Sequence, residues 1–333
     1  MKRLGALILA VGMIFGSLAL RNSMNTENPD SRKSGGSDSA SSDAKFRLTC
    51  AVELADVCNA LAATQPNLTV KPEEAGITAD WLTKLPDNAN PGFDAWLTVG
   101  PWAEIVQDNR NFTENTGAIL GTPSGVLGSS PAKLVTLKSG ETALNTACGG
   151  TITWKCLGQN QSLPQPQGIG MPSPNTGVGL AVLADATNSF FGSNSYSASD
   201  FEDAAFIGWF DQLTKKSRES NLGGQTVLER AVVATGTYTT VGALSSEVAS
   251  LPTSTKKFNP LPAPKGAPAQ PVIAQVRLVP ARGVNAKDAL DQVNSEVLTN
   301  LLAKSNWDTA PQNPESNLPD PGVLQVLRDM WNS

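Results

Sequence analysis

From residue 45 onward, runs of alternating polarity give way repeatedly to runs of helical period. FRLTCAVE (46–53) predicts a strand, and LADVCNALAATQPN (54–67) predicts a helix ending near Pro66. NLTVKPEE (67–74) predicts a second strand and ITADWLTKLP (77–86) a helix with Thr78 as its cap. FDAWLTVGP (93–101) predicts a third strand and WAEIVQDNR (102–110) a further helix. This β-α-β-α-β-α order is that of a parallel sheet with helices on its faces. GAILGTPSGVLGSSPAKLVTLKSG (117–140) reads as strand, loop and strand, and GTITWKCLG (150–158) as strand or turn.

In PSPNTGVGLAVLADA (172–186) two prolines and small residues lead into an apolar helix that Asn175 or Thr176 caps. A helix start built of small residues also leaves its N–H groups and positive dipole end open to a polar ligand. Residues 197–220 predict one amphipathic helix with Ser199 or Asp200 near its cap. Its core face carries Phe201, Phe206, Trp209, Phe210 and Leu213. Further helices are predicted over 226–236, at the end of 237–251, over 286–307 as one long element, and over 322–331. PVIAQVRLVP (271–280) is a strand, and the Pro-spaced stretch 251–271 favours extended geometry.

The first 44 residues follow different rules. Lys2 and Arg3 precede an apolar run from Leu4 to Leu20, which reads as a cleaved secretory signal or an uncleaved anchor, domain 1–21. The anchor is favoured, since no small-x-small cleavage site follows Leu20. Residues 22–44 are rich in Ser, Asn, Asp and Gly and read as a disordered tether. Both readings place the rest of the chain at the extracellular face of the membrane, anchored or secreted.

Composition narrows the chemistry. A net charge of −5, thinly spread, argues against nucleic acid as a partner. Histidine is absent, which removes Ser-His-Asp and Cys-His catalysis and the usual metal ligand. Neither a metal nor a cofactor is expected. An enzyme would need a Ser-Lys pair, a carboxylate pair or an oxygen-only metal site. The candidates for these lie in the tether (31–33, 39–43) or at a helix start (D-F-E-D, 200–203). Cys50, Cys58, Cys148 and Cys156 form an even set in an exported chain, which suggests disulfides. Three connectivities are possible; the expectation taken forward is the two local pairs, 50–58 and 148–156.

Polar, glycine-rich segments recur at the expected carboxyl ends of strands, where open α/β sheets bind ligands. They are Val52-Glu53-Leu54, Gly100-Pro101-Trp102, Thr122-Pro123-Ser124-Gly125, Pro174-Asn175-Thr176-Gly177 and Gly236-Thr237-Tyr238. The order of features resembles that of type II periplasmic or extracellular solute-binding proteins. LTCAVELADVCNAL and DAWLTVGPW match the early strands, and SSPAKLVTLK resembles the strand crossing into a second lobe. GIGMPSPNTGVGLAVLADA is similar to a G-x-x-x-P-x-x-x-x-G-x-x-x-L segment that puts a helix start at the cleft. PVIAQVRLVP resembles the return strand and LPDPGVLQVLRDMW the terminal helix.

The resemblance, over residues 45–333, implies an α/β fold of two lobes, each a mixed sheet flanked by helices. Lobe 1 would be 45–132 plus 271–333 and lobe 2 would be 133–270. It implies a non-catalytic monomer that captures a small solute between its lobes, for an ABC permease or another membrane protein. The alternative is a protein-interaction module derived from such a fold. The implied ligand contacts are Glu53, Leu54, Gly100, Pro101, Trp102, Ser124, Asn175, Thr176, Gly177, Thr237 and Tyr238. Trp102 would stack on the ligand or else cap the sheet; the other tryptophans, Trp81 among them, are packing residues. Anion-binding members show paired hydroxyls where Val52 and Glu53 stand here. Glu53 therefore favours a cationic or neutral ligand while the helix start favours an anion.

Overall fold

The computed structural model describes residues 45–112, 117–159, 168–218, 226–234, 237–252, 258–261, 271–310 and 315–333. The expected signal or anchor and the tether lie outside them. Among the described residues no helix is long and apolar enough to cross a membrane.

The first third alternates as the hydrophobic pattern predicts. Strand β1 (Phe46–Ala51) leads through a 3-10 turn at Val52–Leu54 into helix α1 (Ala55–Thr64). Then come β2 (Leu68–Glu73), α2 (Ala75–Lys84), β3 (Ala95–Val99) and α3 (Trp102–Phe112). Helix α2 begins earlier than expected. Thr78 lies inside it, and its hydroxyl donates to Glu73 Oε2 at 2.8 Å instead of capping. Arg110, wholly buried in α3, donates to the carbonyls of Leu82, Leu85 and Gly117 and to Asp87 Oδ1. It thereby satisfies carbonyls at the end of α2 that the helix leaves open.

The remaining elements are β4 (Gly128–Leu137), α4 (Glu141–Ala147), α5 (Trp154–Gln159), β5 (Gly168–Gly170) and α6 (Gly177–Phe191). They continue with α7 (Ala204–Lys216), β6 (Ser217–Arg218), α8 (Val227–Val233), β7 (Tyr238–Leu244) and α9 (Ser245–Ser250). The chain closes with β8 (Phe258–Pro260), β9 (Ile273–Pro280), α10 (Ala286–Gln292), α11 (Ser295–Lys304) and α12 (Pro321–Asn332).

Of the strand, loop and strand expected over 117–140 only the second strand forms, as β4, and Leu120 makes no more than an isolated bridge with Ala281. Three further segments depart from the sequence expectation for local reasons. GTITWKCLG holds helix α5 and no strand: the Thr153 hydroxyl accepts the Cys156 N–H at 3.1 Å and starts a turn that β-branched composition disguises. The helix expected over 197–220 divides into a 3-10 turn, entered through a Ser197–Asp200 capping box, and α7, which Asp203 caps through the Ala205 N–H. It stops at Lys216, Ser217 and Arg218 form β6, and 219–220 lie outside the described residues. The expected long helix of 286–307 breaks at Asn294, whose φ of 51° is left-handed and whose side chain caps α11.

The sheet runs β2-β1-β3-β9-β4-β7-β5-β6, with β8 beside β4. β1 pairs in parallel with β2 and β3, and β5 in parallel with β7 and β6. Strand β4 joins these two parallel groups. Its residues Gly128–Pro131 pair with β9, and Ala132–Thr136 pair with β7. A continuous hydrophobic core spans both groups, and a smaller cluster lies under α8. Helix α6 is buried on nearly every side and packs on β3, β4, β7 and β9. The residues from Ala44 to Ser333 form one compact unit.

Both cysteine pairs close locally: Cys50 of β1 with Cys58 of α1, and Cys148 with Cys156 of α5. The aromatic face expected within 197–220 is core, stacked on Phe190 and Phe191 of α6. Trp81 is the exception among the packing tryptophans, at 43% exposed.

Replacing Cys148 and Cys156 together by Ser opens a short loop that restricts the unfolded chain. The expected loss, measured by urea unfolding, is roughly 2–3 kcal/mol. A loss near zero contradicts a structural role for this bridge.

Candidate functional site

Strand β1 stops at Ala51, and the 3-10 turn swings Glu53 toward the start of α6. There the Gly177 N–H donates to Glu53 Oε1 at 2.6 Å. The helix start therefore has a carboxylate, but it is the chain's own. Thr176 is the N-cap; its hydroxyl accepts the Gly179 N–H at 3.0 Å. Gly177 has no room for a side chain, since a Cβ would stand 2.2 Å from the Val99 carbonyl and 2.7 Å from Glu53 Oε1.

Asn175 is held just as firmly. Its carbonyl accepts the Gly76 N–H at 2.7 Å, and its Oδ1 accepts Arg328 Nε at 2.8 Å. Arg328 also donates to both Asp80 carboxylate oxygens at 2.6 Å, and its guanidinium lies 5.5 Å from the Trp102 ring centre. This bidentate, stacked use of Arg pins the 173–177 segment to α2 and α12.

Beside this seam lies a cleft of about 320 Å³, a size ordinary for a small-molecule site. Four of its walls stand just past the carboxyl ends of strands. Val52, Glu53 and Asp56 follow β1, and Glu74 follows β2. Ser173 and Thr176 follow β5, and Glu247 follows β7. Thr226, Val227 and Glu229 at the start of α8 complete it. Among the described residues, five carboxylates line the cleft and no lysine or arginine does. Each acid sits at a helix or 3-10 start, where the exposed N–H groups favour negative charge.

Burial opposes that charge on the inner acids. Desolvation pushes Glu53 up to about 7, against the hydrogen bonds from the backbone of Glu53, Gly177 and Val178, and Glu74 adds repulsion. Desolvation likewise pushes Glu247 up to about 7, with Glu53 and Glu229 adding repulsion; the hydrogen bond from Leu244 N–H opposes it.

Of the residues expected at the site, Glu53 and Thr176 line the cleft, with Asn175 and Gly177 in the seam beside it. Leu54 and Trp102 are fully buried, and Arg328 covers the Trp102 ring. Gly100 has a φ of +93°, its N–H donates to the Gln275 carbonyl, and with Pro101 it turns the chain into α3. Ser124 precedes β4 and accepts the Leu278 N–H, joining the chain to β9. Thr237 and Tyr238 stand at the amino end of β7, not its carboxyl end, a strand length of about 20 Å from Glu247. Asp56, Glu74, Glu229 and Glu247 were not singled out from the sequence. Glu229 completes a Thr226-x-x-Glu229 capping box, so its signal is that of an ordinary helix start.

A second groove, of about 480 Å³, lies between residues 88–94 and 281–284 at the amino end of β3. It is remote from these helix starts.

No protein-family model matches the sequence, and no curated protein matches it. Many solved structures match the fold, among them type II periplasmic solute-binding proteins. Iron-bound HitA from Pseudomonas aeruginosa superposes with a TM-score of 0.56 at 11% identity, covering 87% of this chain and 99% of that one. A periplasmic thiamin binding protein gives 0.52 at 13% identity, covering 89% and 97%. The Trichodesmium protein IdiA (FutA), in complex with iron and citrate ligands, gives 0.50 at 10% identity, covering 86% and 96%. At such identities the likeness establishes a shared mixed α/β fold.

Glu53 and Glu247 titrate near 4.5 when unfolded and near 7 when folded. Across that window the folded state binds more protons, so stability falls as pH rises, and it levels off above about pH 7. The Tm of the full chain is expected to decline between about pH 5 and pH 7, and Glu53→Gln with Glu247→Gln should flatten the decline. An unchanged slope in the double variant contradicts the burial of these acids.

Proposed function

We propose that this chain is an exported, non-catalytic solute-binding protein that captures a small molecule in the cleft beside the start of α6. The observation that carries the reading is the cleft's position. It lies past the carboxyl ends of strands from both parallel groups, so a ligand there touches residues 45–132 and 133–270 at once. The two groups serve as lobes, with residues 271–333 completing the first. Strand β4 is one hinge element, since it changes partner between Pro131 and Ala132. A single compact unit fits the closed arrangement of such a pair, opening to admit solute.

The fold likeness supports this reading, because the matched proteins are described as binding iron and thiamin. The two disulfides suit a compartment outside the cytoplasm. The apolar run 4–20 and the polar stretch 22–44 would hold the protein at the membrane, where a permease of an ABC system receives the solute.

A second reading has one observation in its favour. The start of α6 is already occupied by Glu53, and Asn175 by Arg328, as in a module that no longer needs a solute to stay closed. Thermal unfolding of the full chain against a panel of amines, thiamin, iron salts, amino acids, sugars and oxyanions separates the two. A receptor gains RT ln(1 + [L]/Kd), about 2.7 kcal/mol at a hundredfold excess over Kd, and its Tm rises by several degrees. If no solute in the panel raises Tm, the interaction-module reading replaces this one.

A further inference from the structure

The seam beside the cleft is closed by the chain's own groups. The Asn175 carbonyl accepts the Gly76 N–H, its Oδ1 accepts Arg328 Nε, and the Gly177 N–H donates to Glu53. Asn175 and Gly177 belong to residues 133–270, and all three partners belong to 45–132 or 271–333. Arg328 gathers the most groups. It is 5% exposed, places both terminal nitrogens on Asp80 and Nε on Asn175, and lies over the Trp102 ring. A lysine could not hold Asp80 in this bidentate way while also reaching Asn175.

Arg328 stands on α12, which packs on α3. Two further contacts carry this C-terminal segment across to residues 133–270. Trp331 meets Phe210 of α7 edge-on, with ring centres 6.0 Å apart at 87°. Before the helix, the Asn317 carbonyl accepts Asn188 Nδ2 of α6 at 3.2 Å, and Asn317 Nδ2 donates to the Pro271 carbonyl at 3.4 Å. Pro271 lies beside the point where β4 changes partner, since the Ala132 N–H donates to the Val272 carbonyl. The twelve residues of α12 make a stiff rod of about 18 Å. A rod tied near the strand crossing and again at Arg328 and Trp331 resists rotation of one set of residues against the other. None of these contacts needs a solute.

Resting on the reading of the two sets as lobes, we propose that α12 is a strap that holds the lobes closed without solute, with Arg328 as its clasp on Asn175. Solute entry then requires the clasp to release, and apparent affinity is lowered by the fraction of molecules that stand open.

The test places nitroxide labels on the full chain at Asn59→Cys and Val233→Cys, with both native disulfides intact. These are exposed positions on α1 and α8, whose first turns line the cleft from opposite sets. Label separations are read by pulsed electron paramagnetic resonance in the absence of solute. The labelled parent is expected to give one short distance. Asn175→Ala removes the acceptor but leaves Arg328 on Asp80, so the fold is kept. Loss of one hydrogen bond to a charged group should raise the open-to-closed ratio about tenfold, seen as a second, longer distance. Adding Trp331→Ala should raise it further. Arg47→Gln, which breaks the ion pair with Asp94 inside one set, should leave the distribution unchanged. The strap is overturned if the parent already holds a large longer-distance population, if both seam variants keep the single short distance, or if Arg47→Gln shifts it equally. Each of these results leaves the solute-binding reading standing, which falls only if the thermal panel finds no ligand.

Discussion

The hydrogen bond from the Gly177 N–H to Glu53 joins the end of one parallel strand group to the helix that follows β5 in the other. Around it the chain has little freedom. Gly177 must lack a side chain because the Val99 carbonyl stands where one would go. Asn175 is clamped by the Gly76 N–H and by Arg328, which the Asp80 carboxylate and the Trp102 ring hold in turn. A buried carboxylate is costly unless donors face it, and a helix start supplies donors already aligned. The contact thus reconciles two features that the sequence sets in opposition: an acid after the first strand, and a helix start suited to an anion.

The same physics repeats around the cleft. Short helices turn inward past the strand ends and present their N–H groups, and an acid answers each. This stabilises the helices and leaves the cavity negative. Those acids serve the fold first, as helix-start residues, and the fold collects them around one cleft.

Much of the scaffold was legible because its signals are local. The alternation from Phe46 to Phe112, the Thr176 cap, the close-packed face from Phe201 to Leu213 and the short cysteine spacings all act within a few residues. Thr153 was misread because a β-branched residue that caps a helix looks like a strand former. Asn294 was missed because a left-handed break inside an amphipathic pattern costs Asn little. The site was harder to read. Which end of β7 faces the cleft depends on its pairing with β4 and β5, so Thr237 and Tyr238 were assigned to the wrong end. Glu229 and Glu247 carry the pattern of helix starts, and only the fold brings them opposite Glu53.

The proposed solute site depends on Glu53 being buried against the start of α6 at the edge of the cleft. Carboxyl-carbon NMR of the full chain labelled at glutamate, assigned by comparison with the Glu53→Gln variant, reads this directly. The account predicts that Glu53 titrates near 7 and that its resonance moves when a solute fills the cleft. A Glu53 resonance that titrates in the ordinary range near 4.3 and ignores every bound solute would contradict it.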